Sequence, residues 1–217
     1  MPDSPNFQSQ AQRLSPKYAA WRNVPADGNC FYRSVAFALL DYLLSPATPI
    51  QDLEMLFKRI RWQEMPLPDD LITDYMAVSM VLMEIWKKKQ AGNPNFEGFL
   101  MNLLGSNEYM FPFIKVLRNL SYQSLLFFKP EGIYYAGCEE DMRENLRFGQ
   151  QSGEADLLGL SSALDINIVQ VTMGASDYQE TITQFSSQRR EMKVRAMLHV
   201  GLISGHFYAF YPNSAPT

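Results

Sequence analysis

From Cys30 onward the chain turns apolar at helical spacing. Val35, Leu39 and Leu43 recur four residues apart, with Ala36, Leu40 and Leu44 beside them. So broad an apolar face predicts a buried helix, and Pro46 stops it. Residues 53–60 carry a shorter amphipathic pattern. Pro66 and Pro68 interrupt the chain, and Asp69 or Asp70 is placed to cap a helix over residues 71–90. Its Lys87-Lys88-Lys89 run falls in the last turn, where cations complement the helix dipole, and reads as a solvated helix end. Gly92 to Asn95 is a turn. Two or three helices are expected within residues 96–119 and another over 139–148. Residues 150–153 read as a loop and 154–164 as a helix, with Leu157, Leu160 and Leu164 on one side.

The period then changes. Ile166-Asn167-Ile168-Val169-Gln170-Val171 is rich in branched side chains and predicts a strand. Residues 193–203 predict a second, in which Val194, Ala196, Leu198, Val200 and Leu202 alternate onto one face. Ser204-Gly205 turns the chain into a third, residues 206–211. Helices followed by a helix–strand–hairpin block predict an α+β (layered α/β) domain, a small β-sheet flanked by helices. Residues 1–20, with their prolines, serines and glutamines, read as a flexible arm. That leaves one domain over 21–213, with a helical region at about 46–149.

Composition narrows the field. The chain has 217 residues, 47% of them apolar and 19% charged, a globular balance large enough for one sizeable core. A net charge of −4 argues against a nucleic-acid-binding face. The longest apolar run is too short for a membrane span, and the N-terminal residues carry no apolar signal core. The two cysteines, Cys30 and Cys138, are too few for a disulfide scaffold and read as reduced thiols of a cytosol-like compartment. Two cysteines and two histidines at these spacings make no zinc pattern, and no cofactor fingerprint is visible. Neither metal nor cofactor is expected.

The remaining chemistry centres on Cys30. It follows the turn Ala26-Asp27-Gly28-Asn29 and opens a helix. Helix N-termini present free amide N–H groups and partial positive charge, which favour a thiolate and can hold an oxyanion. Gly28 lets the backbone turn tightly. Of the two histidines, His199 lies mid-strand and reads as structural, while His206 follows the Ser204-Gly205 turn and is better aimed to act as a base. Cys138, at a helix start, reads as an ordinary thiol. By itself a lone cysteine with a remote histidine is only a candidate site.

The run Asp27-Gly28-Asn29-Cys30-Phe31-Tyr32-Arg33-Ser34 resembles the signature of the OTU (ovarian tumour) cysteine proteases, closest to the otubain branch. Residues 153–171 resemble that family's helix-then-strand ahead of its histidine, and Gly205-His206-Phe207 is similar to the Gly-His-aromatic ending of otubains. The resemblance implies a papain-like deubiquitinase whose partner is ubiquitin or polyubiquitin. It works in a eukaryotic cytosol, or in a host cytosol if the protein is a secreted effector. Cys30 is then the nucleophile, His206 the general base and acid, and Asp27 part of the oxyanion loop or an orienting acid. Gly28 and Asn29 would shape the loop, and Trp21, Gly205 and Phe207 would line the channel for ubiquitin's extended tail. Helices between Pro46 and Asn119 would dock ubiquitin.

One position departs from the family pattern. Tyr208 stands two residues after His206, where the family places Asp or Asn to orient the imidazole. Asp27 or another acid takes that role, or the pair works as a dyad, or activity is weak. An inactive ubiquitin-binding module and a protease for another ubiquitin-like modifier are the alternative readings.

Overall fold

The apolar run after Cys30 forms α1 (Cys30–Leu44), in which only Cys30, Asp41 and Tyr42 are less than fully buried. It is the central helix. One side packs on a five-stranded sheet and the other on α4 (Asn107–Phe128). The computed structural model describes residues 9, 12–61, 69–92, 98–99, 106–128, 154–173, 180–185, 196–203 and 205–213. The expected helix at 139–148, the loop at 150–153, Cys138, Ser204 and the start of the second expected strand lie outside them.

The remaining described helices are α2 (Ile50–Arg61), α3 (Ile72–Gln90) and α5 (Glu154–Leu164). The strands are β1 (Tyr18–Asn23), β2 (Asn167–Met173), β3 (Glu180–Phe185), β4 (Met197–Ile203) and β5 (His206–Pro212), in the order β1-β5-β4-β2-β3. β2 and β4 run parallel, and every other pair is antiparallel. Alternation divides the sheet as the sequence predicts. Leu198, Val200, Phe207 and Ala209 join the main core under α1, while Val169, Val171, Ile203 and Phe210 form a second cluster on the opposite face. The α+β architecture is thereby confirmed.

Several expectations are corrected. The flexible arm does not extend to residue 20, because β1 begins at Tyr18 and pairs with β5. Only Tyr18 of this edge strand is buried, so burial left no alternating signal to read. β3 is likewise an edge strand that the pattern did not reveal. The region expected to hold short helices ending near Asn119 contains α4, which continues through Pro112 to Phe128. Neither Asp69 nor Asp70 caps α3. Both lie in a 3-10 turn, the cap position is Leu71, and no side chain caps it. The acid engaged at that end is Asp74, which accepts from Lys115 Nζ at 3.1 Å. Nor is the lysine run merely solvated. Lys89 Nζ donates to the Ser45 and Thr48 carbonyls at 2.8 and 3.0 Å, tying the end of α3 to the loop after α1.

Candidate active site

The turn ahead of Cys30 is locked at each peptide. Gly28 adopts φ 74°, the left-handed region that a residue with a Cβ rarely enters. Its carbonyl accepts from the Arg118 guanidinium at 3.0 Å, and the N–H of the same peptide group, on Asn29, donates to Asp27 Oδ1 at 3.0 Å. The next peptide is fixed by the helix itself, since the Asn29 carbonyl accepts the Arg33 N–H at 2.9 Å. A trans peptide points its N–H opposite to its carbonyl, so the Cys30 N–H is aimed away from the helix body. First-turn amides such as this one have no intrahelical acceptor.

Asp27 is gripped as well. Arg33 donates to its Oδ2 from Nε at 3.2 Å and from a terminal nitrogen at 2.7 Å. Burial alone would raise the Asp27 carboxyl. The Arg33 hydrogen bonds and charge, with the Asn29 N–H, outweigh it and hold the group below the usual carboxylate range. Beneath the turn lies a buried polar layer. Arg118 also donates to Asn29 Oδ1 at 3.1 Å, and its guanidinium sits 4.5 Å from the centre of the Tyr32 ring. The Tyr32 hydroxyl donates to Asp156 Oδ1 at 2.7 Å, and the Asp156 carbonyl accepts from Ser121 Oγ at 2.9 Å.

His206 arrives from the sheet. It is the first residue of β5, pairs with Ile203 across the hairpin, and follows Gly205 at φ 78°. Its Nε2 lies 3.0 Å from the Val24 carbonyl. A carbonyl can only accept, so Nε2 carries the proton and Nδ1 is left as the basic nitrogen. The Tyr208 ring meets the imidazole edge-on, with centroids 4.8 Å apart and planes at 86°. The Tyr208 phenol is pushed up, first by burial and then by the charge of Cys30, which places this side chain in the electrostatic neighbourhood of the thiol. The residues next to the thiol and the imidazole in sequence also touch: the rings of Phe31 and Phe207 pack edge to face at 5.2 Å. The thiol and the imidazole themselves share no hydrogen bond here; such contacts are often long until substrate is bound.

The structure redistributes the expected roles. Asp27 is turned to Arg33 and Asn29, and His206 to Val24, so Asp27 is not the orienting acid. The group that orients His206 is a backbone carbonyl, which no side-chain motif could reveal. Asn29 is fully buried and shapes the turn rather than facing a ligand. Phe207 is 6% exposed and belongs to the core, because β5 uses that face to seat α1. Trp21 is exposed but pairs with Phe210, four positions along β5 from His206. At strand rise that is about 13 Å, so its backbone does not flank the imidazole. His199 is structural, as expected. Its Nδ1 lies 3.1 Å from the Tyr18 hydroxyl, and burial pushes its pKa down. Arg118 and Val24 were not foreseen.

The chain resembles known proteins in two ways. The structure superposes on ceOTUB1 in a complex with ubiquitin aldehyde and UBC13~Ub with a TM-score of 0.72, at 21% identity, covering 98% of this chain and 87% of that one. A second complex, of h/ceOTUB1 with ubiquitin aldehyde and UBCH5B~Ub, gives 0.70 at 20% identity, covering 98% and 84%. At these identities the likeness is one of fold. In sequence, the family model described as Peptidase C65 Otubain matches residues 1–117, which include Asp27, Cys30 and the start of the helical region. That is more than half of the chain, and the chain belongs to the otubain family of cysteine peptidases, peptidase family C65.

Proposed function

We propose that this otubain is a deubiquitinase in which Cys30 attacks the carbonyl of ubiquitin's C-terminal glycine at an isopeptide or peptide bond. The observation that carries the assignment of residues is the locked turn. It sets Cys30 at the start of α1 with its amide aimed outward, while His206 enters from β5 with Nε2 turned to Val24 and Nδ1 left free of that contact. His206 Nδ1 takes the thiol proton. The thiolate forms a bond to the carbonyl carbon, and the oxyanion is held by first-turn amides of α1. His206 then returns the proton to the leaving amine, and the C–N bond breaks. Water, deprotonated by the same nitrogen, hydrolyses the thioester and regenerates Cys30. Asp27 contributes by holding the turn, and the Val24 carbonyl by keeping the imidazole oriented.

Ubiquitin as the partner is supported by the family and by the superposed ceOTUB1 and h/ceOTUB1 structures, whose complexes contain ubiquitin aldehyde. A free Cys30 thiol suits a reducing, cytosol-like working compartment. Tyr208 favours one alternative, a module that binds ubiquitin without cleaving it. A ubiquitin probe with a thiol-reactive C-terminus separates the two. Capture that disappears in Cys30→Ala is the expected result. Binding without capture would establish the inactive module, and capture surviving in Cys30→Ala would transfer the role to Cys138.

A further inference from the structure

Among the described residues the largest fully buried side chain is a cation. Arg118, on α4, is 1% exposed, yet it reaches the turn that presents the nucleophile. Two of its hydrogen bonds go to the Gly28 carbonyl and to Asn29 Oδ1, both within two residues of Cys30. Burying a guanidinium is costly, and a fold keeps one where its charge is answered. Here the answer comes partly from the Tyr32 ring beneath it and partly from the Asp156 and Asp27 carboxylates. A sequence face accounts for its position. Ile114, Leu117, Ser121 and Leu125 lie four, one, three and seven residues from it and are all buried.

We infer that Arg118 is a positioning residue of the reaction: it clamps the Gly28–Asn29 peptide from below and so fixes the turn that presents Cys30. The clamp is two-ended. Arg118 holds the carbonyl of that peptide and Asp27 holds its N–H, so the plane of the group is fixed before substrate arrives. The other groups facing this locus are Asp27 and Arg33 around the turn, Tyr32 on α1, Asp156 on α5, and His206 and Tyr208 on β5. Arg33 spends its charge on Asp27, and the Tyr32 hydroxyl on Asp156. Arg33 thus reaches the turn through the Asp27 side chain, whereas Arg118 holds a backbone carbonyl of it.

The inference rests on Cys30 being the nucleophile, but its first test does not need ubiquitin. Backbone hydrogen exchange of the full chain is followed by mass spectrometry on the peptide that carries the turn. In Arg118→Gln exchange at the Asn29 amide is expected to quicken about tenfold, with the amides of β4 unchanged. In Arg118→Lys kcat on a ubiquitin substrate should fall about tenfold at unchanged KM, because the fork that holds Gly28 is lost. Lys115→Ala, which removes an exposed cation from the same helix, should leave the turn's exchange in place. A folded Arg118→Gln with wild-type exchange at the turn would overturn the inference. So, should the Gln variant not fold, would an Arg118→Lys enzyme with wild-type kcat. Failure of ubiquitin capture alongside Arg118-dependent exchange would instead count against the deubiquitinase reading alone.

Discussion

Three charged side chains, Asp27, Arg33 and Arg118, are committed to the few residues around Cys30. The His206 ring is held by a neutral carbonyl and the edge of a tyrosine. The two halves of the site are thus organised by different means. On the cysteine side, charge and buried hydrogen bonds fix the backbone and favour an anion. On the histidine side, a carbonyl fixes the tautomer, and among the described residues no carboxylate hydrogen-bonds to the imidazole. An orienting aspartate does both tasks at once. Here the tasks are divided, and the Val24 carbonyl performs only the first.

The sharpest way to break this asymmetry is to disturb what supports the cysteine side. α4 and α5 approach so closely that a Cβ on Gly159 would lie 2.6 Å from the Ser121 carbonyl oxygen and 2.8 Å from Leu125 Cγ. The backbone oxygen cannot move aside cheaply. Gly159→Val should cost about 3 kcal/mol in urea denaturation, at the upper end of overpacking. A loss well below 1 kcal/mol would mean that the layer carrying Arg118 and Asp156 is softer than its distances imply.

Next in size is Asp27→Ala, which frees the Asn29 N–H and leaves Arg33 without its carboxylate. The turn then loses one end of its clamp. A fall of about hundredfold in kcat, or about 2.7 kcal/mol, is expected with KM little changed. Asp27→Asn keeps an acceptor for that N–H and should lie between. The pH dependence has a definite sign. The folded Asp27 carboxyl is held below its unfolded value, so its stabilising effect is present above the ordinary carboxylate pKa and is lost only as pH falls through the depressed one. The acid limb of the activity profile should therefore survive in Asp27→Asn.

The same asymmetry governed what could be read from the sequence. Asp27 to Arg33 are contiguous, so their turn chemistry and the family signature were legible together, and the helical period of α1 and the alternation of β4 placed the core. Arg118 did leave a trace. It stands on the buried face shared by Ile114, Leu117 and Ser121, where a charged residue demands a reason. Ending the two or three helices expected over residues 96–119 at Asn119 concealed that face. Val24 left none, since its contribution is a main-chain oxygen brought to His206 by β1 pairing with β5. Phe207 misled because an aromatic beside a candidate base fits a substrate channel as readily as a core, and only the packing of β5 on Phe31 decides.

The smallest expected effects lie at Tyr208, and they bear most directly on the divided roles. Its contact with His206 is made by the ring, so Tyr208→Ala should let the imidazole swing and lower kcat about tenfold, or about 1.4 kcal/mol. Tyr208→Asp restores the carboxylate of the family pattern. With the tautomer already set by Val24, the added charge supports only the imidazolium, and a gain of about threefold is expected. Tyr208→Phe keeps the ring and should stay within about twofold of wild type. Steady-state kinetics on one ubiquitin substrate ranks all three. If Tyr208→Asp gained hundredfold or more, the natural enzyme would have to lack a working orienter, and the Val24 carbonyl would be a resting contact of the free protein rather than part of its catalytic geometry.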